Sequence, residues 1–137
     1  MTPTIRPSKA TSTTANSHDP TWRHHFITLF PFAGGGGGAK VRPAVVVQCD
    51  RLNRQIETTL IALITGNVRL VGREPTQFLI DPATTEGASA GLLRPSAVKC
   101  ENLFTARQDE IVKTIGHLSP SLFQQLDACL KSALELP

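Results

Sequence analysis

Lys40-Val41-Arg42-Pro43-Ala44-Val45-Val46-Val47-Gln48, entered straight from five consecutive glycines at 34–38, constrains the fold more than any other part of the chain. A run of β-branched side chains fits a pleated, packed surface, which predicts a buried strand over Ala44 to Gln48. Pro43 brings no amide donor and suits the first residue of that strand. Arg42 then stands where a flexible loop meets a rigid sheet. Binding chemistry favours such places, because the scaffold holds the residue while the loop admits the ligand.

The rest of the chain punctuates itself in the same way. Residues 1–21 are rich in Thr, Ser and Pro and have few large apolar side chains. Such a stretch buries too little surface to offset its ordering entropy, so a disordered tail is expected, or a translation start set too far upstream. The folded domain is expected over 22–137. Phe26 to Phe30 reads as a strand ended by Pro31, and Ala33 to Ala39 as a flexible glycine loop. Asp50 to Arg54 reads as a polar or short helical turn, Thr58 to Thr65 as a central strand, Gln77 to Ile80 as a fourth and Ala97 to Cys100 as a fifth. Arg107 to Lys113 suggests a short helix. Ser119-Pro120 is a helix start, with serine as N-cap and proline at the first position. Leu122, Phe123, Leu126, Cys129, Leu130 and Ala133 then recur as one apolar stripe. Strands first and helix last predict a mainly β, α+β domain: a small, SH3-like, curled antiparallel sheet or barrel with a C-terminal helix packed on it.

Composition narrows the function classes. The 137 residues suffice for one domain with a real core, at 40% hydrophobic and 18% charged. No apolar run is long enough to span a membrane, and the N-terminus lacks a secretory pattern. Three cysteines, Cys49, Cys100 and Cys129, have no metal-like spacing and read as reduced, buried thiols of a cytosolic protein. A net charge of +3 and a pI near 9.0 favour an anionic partner. His24 and His25 read as an exposed or packed pair, and His117 as structural. No cofactor or metal is expected.

Several motifs in register resemble the MazF/PemK toxins of bacterial type II toxin–antitoxin pairs. Phe30-Pro31-Phe32, the glycine run and Lys40 to Gln48 are similar to that family's first hairpin, and Asp50-Arg51-Leu52-Asn53 to the turn after it. Leu63-Ile64-Thr65-Gly66-Asn67, Pro75-Thr76-Gln77, Cys100-Glu101 and Ile115-Gly116-His117-Leu118-Ser119-Pro120 resemble its later signatures. The likeness spans about Phe26 to Leu136 and implies a metal-independent endoribonuclease that cuts single-stranded RNA, leaving 2′,3′-cyclic phosphate and 5′-OH ends. It implies Arg42 and Thr65 as catalytic residues. Lys40, Gln48, Asn67 and Thr76 follow as RNA-binding candidates. It further implies a homodimer and inhibition by a small antitoxin with an acidic, disordered tail, with the glycine loop as a mobile cover over the RNA groove. Two positions depart from the family pattern. Trp22-Arg23-His24-His25 stands where the family opens on Arg-Gly-Asp, and Gly66 replaces a serine. Two other readings follow: a CcdB-type toxin that poisons DNA gyrase, or a toxin fold that binds antitoxin or RNA without cutting.

Overall fold

The computed structural model describes residues 25–33 and 39–137. The expected tail, residues 22–24 and the glycine run at 34–38 lie outside the described residues. The chain forms β1 (Phe26–Ala33), β2 (Ala39–Val46), α1 (Asp50–Gln55), β3 (Thr58–Thr65), β4 (Gln77–Ile80), β5 (Ser96–Arg107), β6 (Lys113–His117) and α2 (Pro120–Leu134), with 3-10 turns at Ala88–Ala90 and Gln108–Glu110. The strands make one curled sheet in the order β4-β5-β3-β2-β1-β6, every neighbour antiparallel.

β3 and β4 have the expected bounds. The hairpin strands are longer than expected, since Pro31 pairs with Val41 and Pro43 with Leu29 inside the β1–β2 ladder, while β2 stops at Val46 and leaves Val47 and Gln48, expected in it, to the turn before α1. Neither proline breaks its strand. The β1–β6 pairing ends at Leu29 and the β2–β3 pairing at Ala44, so no neighbouring strand requires either missing donor.

β5 runs on to Arg107 because its register shifts between Ala62 and Leu63. Ala62 pairs with Leu103 and Leu63 with Lys99, and such a bulge bends a long strand. The helix expected over Arg107 to Lys113 is absent. The Arg107 guanidinium donates to Asp109 at 2.8 and 3.0 Å, and the Arg107 amide to Glu110 at 3.2 Å. These bonds close one tight turn, after which β6 pairs with β1.

The sheet is buried on both faces. On one, Leu122, Leu126 and Cys129 of α2 pack against Ile27, Val45, Ala62, Ile64, Phe78, Ile80 and Val98. Full burial of a side chain such as Leu126 contributes ~1.5–3 kcal/mol. Ser119 caps α2 as expected, accepting from the Leu122 amide at 3.4 Å. On the other face Phe30, Ala44, Val46, Ile61 and Ile111 form a second cluster. Cys100 and Cys129 are buried as expected, but Cys49 is exposed, because it precedes α1 rather than lying in a strand.

A polar clamp closes the α1 end of the sheet. Asn53, 1% exposed, accepts from the Gln48 amide at 2.9 Å and the Thr59 hydroxyl at 2.7 Å. The Gln108 amide donates to the backbone carbonyls of Asn53 and Ile56 at 2.8 Å each.

The β4–β5 connection is seated on β6 through two glycines. A Cβ on Gly91 would lie 2.0 Å from the Ile115 carbonyl oxygen, and one on Gly116 2.3 Å from that of Ala90. Gly91 also has φ +76°, and Gly72 has φ +86° with open space around it. Gly72→Ala therefore costs only the left-handed backbone, ~1–2 kcal/mol, in denaturant unfolding. Gly91→Ala, which also drives a methyl into backbone, costs roughly 3 kcal/mol or more by the same measurement.

Candidate functional site

The β2–β3 pairing sets Ala44 opposite Leu63, Val45 opposite Ala62 and Val46 opposite Ile61. Continued two residues past its end, that register brings Arg42 opposite Thr65 where the two strands part. Alternation along the strands puts both on the face of Phe30, Ala44 and Ile61. Lys40 follows on the same face, roughly 7 Å further along β2.

A cleft of about 580 Å³ opens at this end of the sheet. Leu29, Val41, Pro43, Ile64 and Ile115 give it an apolar wall on the α2-side face of the sheet, and Arg42 and Thr65, which alternate to the other face, border it where their strands part, with Gly66 and Arg94. Gly91 to Arg94, from the connection seated on β6, form the opposite lip, where Leu93 is fully exposed. Thr65 is half-buried, and its Oγ1 accepts from the Asn67 amide at 3.2 Å. Among the described residues its hydroxyl proton has no acceptor, so it remains available as a donor. Arg42 and Arg94 are exposed, and neither has a carboxylate partner among the described residues. Arg42 and Thr65 on one rim and Arg94 on the other put two cations and a hydroxyl donor around an apolar wall, a setting that suits an oxyanion attached to something partly apolar.

Of the other sequence candidates, Asn67 reaches Thr65 only through its backbone amide, and none lines the cleft. Lys40 is exposed on the hairpin and does not line the cleft. Gln48 belongs to the clamp, its amide donating to Asn53 and to the Thr58 carbonyl at 2.9 Å each. Asn67 stabilises its own turn, accepting from the Arg69 amide at 3.1 Å. Thr76, beside β4, has its hydroxyl 3.0 Å from carboxylate oxygens of both Glu74 and Glu101. Arg94 had not been singled out. A usable signal was its sequence setting, since Arg94-Pro95 repeats the Arg42-Pro43 dipeptide, and a residue before proline is restricted to extended backbone.

The remaining titratable groups do not converge on the cleft. His25 is packed, with Nδ1 2.9 Å from the Val46 carbonyl oxygen and its ring edge-on to Phe123 at 4.6 Å. Burial pushes the Cys100 thiol up to about 12, with Cys129 and Glu101 adding to the shift, and burial also raises Cys129. Burial would raise Glu101, yet hydrogen bonds, led by the Gln77 amide at 2.7 Å, outweigh it and hold the carboxyl below its usual value. Among the described residues no three His, Cys, Asp or Glu side chains gather as a metal site requires.

Comparison with known proteins puts this geometry in a family. Residues 26–134 match the family model described as PemK-like, MazF-like toxin of type II toxin–antitoxin system. The chain is 32% identical over 103 residues to the endoribonuclease MazF6 of Mycobacterium tuberculosis, covering 74% of this chain and 85% of that one. It is 30% identical over 112 residues to the endoribonuclease EndoA of Bacillus subtilis, covering 82% and 90%. The fold matches, with a TM-score of 0.61 at 22% identity, a mycobacterial endoribonuclease solved with its cognate antitoxin, over 80% of this chain and 93% of that one.

Two solution measurements check the electrostatics. Gln77→Leu removes a donor from Glu101 and raises its pKa, read by carbon-13 NMR titration. Because the folded pKa is depressed, Glu101 stabilises the fold above its unfolded pKa, and that contribution fades as pH falls through the folded value. The native protein reacts with a thiol reagent at Cys49 alone, and Cys100 and Cys129 follow only in denaturant.

Proposed function

We propose how the cleft works in a chain that belongs to the PemK-like, MazF-like toxins of type II toxin–antitoxin systems. The protein is an endoribonuclease, as its curated relatives are named. Its substrate is single-stranded RNA, and the bond it breaks is P–O5′. The ribose 2′-oxygen attacks the adjacent phosphorus and loses its proton, the 5′-oxygen leaves and takes one up, and the products carry a 2′,3′-cyclic phosphate and a 5′-OH.

Arg42 clamps the scissile phosphate. A guanidinium presents a planar fork of donors that matches two phosphate oxygens and stabilises the charge that grows on them. Thr65 donates its hydroxyl to the same group, and the apolar wall shields the reacting atoms from water. Lys40, on the hairpin outside the cleft, attracts the incoming backbone. Gln48, Asn67 and Thr76 act indirectly, by holding the elements that shape the groove. The observation that carries this reading is that Arg42 and Thr65, level with one another when the β2–β3 register is continued past Ala44–Leu63, both border the cleft.

The partner that restrains the enzyme is a small antitoxin whose acidic, disordered segment fits a chain of net charge +3 and a cleft with two unpaired arginines. The working unit is a homodimer in the cytoplasm, where its substrate is found.

Incubation of the purified protein with a long single-stranded RNA in EDTA yields fragments with 5′-OH ends. Arg42→Ala lowers the cleavage rate roughly 10²–10³-fold and Thr65→Val by about tenfold or more, with circular dichroism unchanged. Intact RNA at every wild-type concentration would sink the catalytic reading. A gyrase supercoiling assay then tests the remaining toxin mechanism, for which inhibition is the expected result if the chain acts on DNA topology.

A further inference from the structure

Gly66 ends β3 beside Thr65, and the space above it is taken by one side chain. A Cβ built on Gly66 would lie 3.2 Å from a terminal nitrogen of Arg94, 3.4 Å from its Nε and 3.5 Å from its Cζ. The guanidinium of Arg94 thus lies over the position a side chain at residue 66 would start from, one residue from Thr65. Gly66 has no left-handed backbone, and the nearest neighbour a side chain there would meet is the Arg94 guanidinium.

The backbone of Arg94 is also held where it is. Its connection is fixed to β6 by the close Gly91–Ile115 and Gly116–Ala90 approaches. Its carbonyl accepts from the Ser96 hydroxyl at 3.0 Å, and Pro95 restricts its backbone. No carboxylate neutralises it among the described residues, although it lines the same cleft as Arg42. An exposed guanidinium on a fixed backbone, with no carboxylate partner among the described residues and on the lip opposite Arg42, is suited to a second phosphate of one strand.

We propose that Arg94 binds the phosphate next to the scissile one, and that residue 66 must be small so that its guanidinium can seat there. The inference rests on the RNA-cleaving function proposed above for the choice of ligand. Two phosphates held on either side of the reacting ribose fix the strand in the extended form that in-line attack requires. Arg94 is thus a positioning residue, which acts through the strand it holds.

The test uses a short, labelled single-stranded 2′-O-methyl oligonucleotide of mixed sequence, which has no 2′-OH and cannot be cut. Binding is followed by fluorescence anisotropy across a salt series. Arg94→Ala reduces the slope of log K against log salt by about 0.7, the value for one lost single-strand phosphate contact. Gly66→Val, which fills the seat, gives the same reduction, and adding it to Arg94→Ala gives no more. Arg94→Lys keeps the slope. Arg51→Ala, a cation removed from α1 at the far end of the sheet, leaves it unchanged.

With cleavable RNA, Arg94→Ala raises KM roughly tenfold and changes kcat far less. A wild-type slope and KM in a folded Arg94→Ala protein would overturn the proposal, as would an equal slope change in Arg51→Ala. Additive losses from Gly66→Val and Arg94→Ala would overturn the seating of one on the other. If the wild type binds with these slopes but never cuts, the endoribonuclease mechanism fails and the Arg94 site stands.

Discussion

The antiparallel register of β2 against β3 is the constraint on which the site depends. A slip of one residue would send Arg42 to the opposite face and break its alignment with Thr65. Burial forbids the slip from both sides. Ala44, Val46 and Ile61 fill one core while Val45, Ala62 and Ile64 fill the other, so neither face could accept the residues of its opposite. The polar clamp around Asn53 reinforces this from the α1 end. It ties Gln48, just after β2, to Thr59 at the start of β3 and to the turn after β5. A fully bonded buried amide has few alternative partners, and that makes it a register marker.

Where a strand is buried on both faces, its apolar run is unbroken and readable, as in Thr58–Thr65 and the valines of β2. Ser119-Pro120 was equally legible because a helix start is local chemistry. β6 was not, since Lys113–His117 is an edge strand whose side chains are exposed or half-buried, with no alternation to read. The turn before it carries polar residues that fit a helix as well as a tight turn, and only the buried side of Gln108, meeting Asn53 and Ile56, decides between them. The far half of β5 was missed for a related reason: beyond its bulge, Phe104 and Thr105 face solvent and the hydrophobic signal stops.

The same division runs through the candidate site. Arg42 was visible because a basic residue at the mouth of a valine run is anomalous. Thr65 drew its assignment from family likeness, since threonine in a strand has no signal of its own. Arg94 comes from a connection that contacts β3 only in three dimensions. What brings it to Gly66 is the glycine contact with β6, made across a sheet edge from residues far away in sequence. Gly66, a departure from the family pattern, has that arginine as its nearest neighbour.

Pro31 and Pro43 give the β1–β2 hairpin a property of its own. Beyond Leu29 and Ala44 this arm has lost its outer neighbours, and two of its backbone positions cannot donate at all. It is a two-stranded ribbon whose outer edges carry no partner strand, continuous with strands that are paired on both sides. A ribbon paired on one side only opens at lower free energy than strands paired on both, so exchange of its amides is expected to need no opening of the core. Arg42 lies on the boundary between these two regimes. One end of its peptide belongs to the part of the chain that breathes and the other abuts the part that does not.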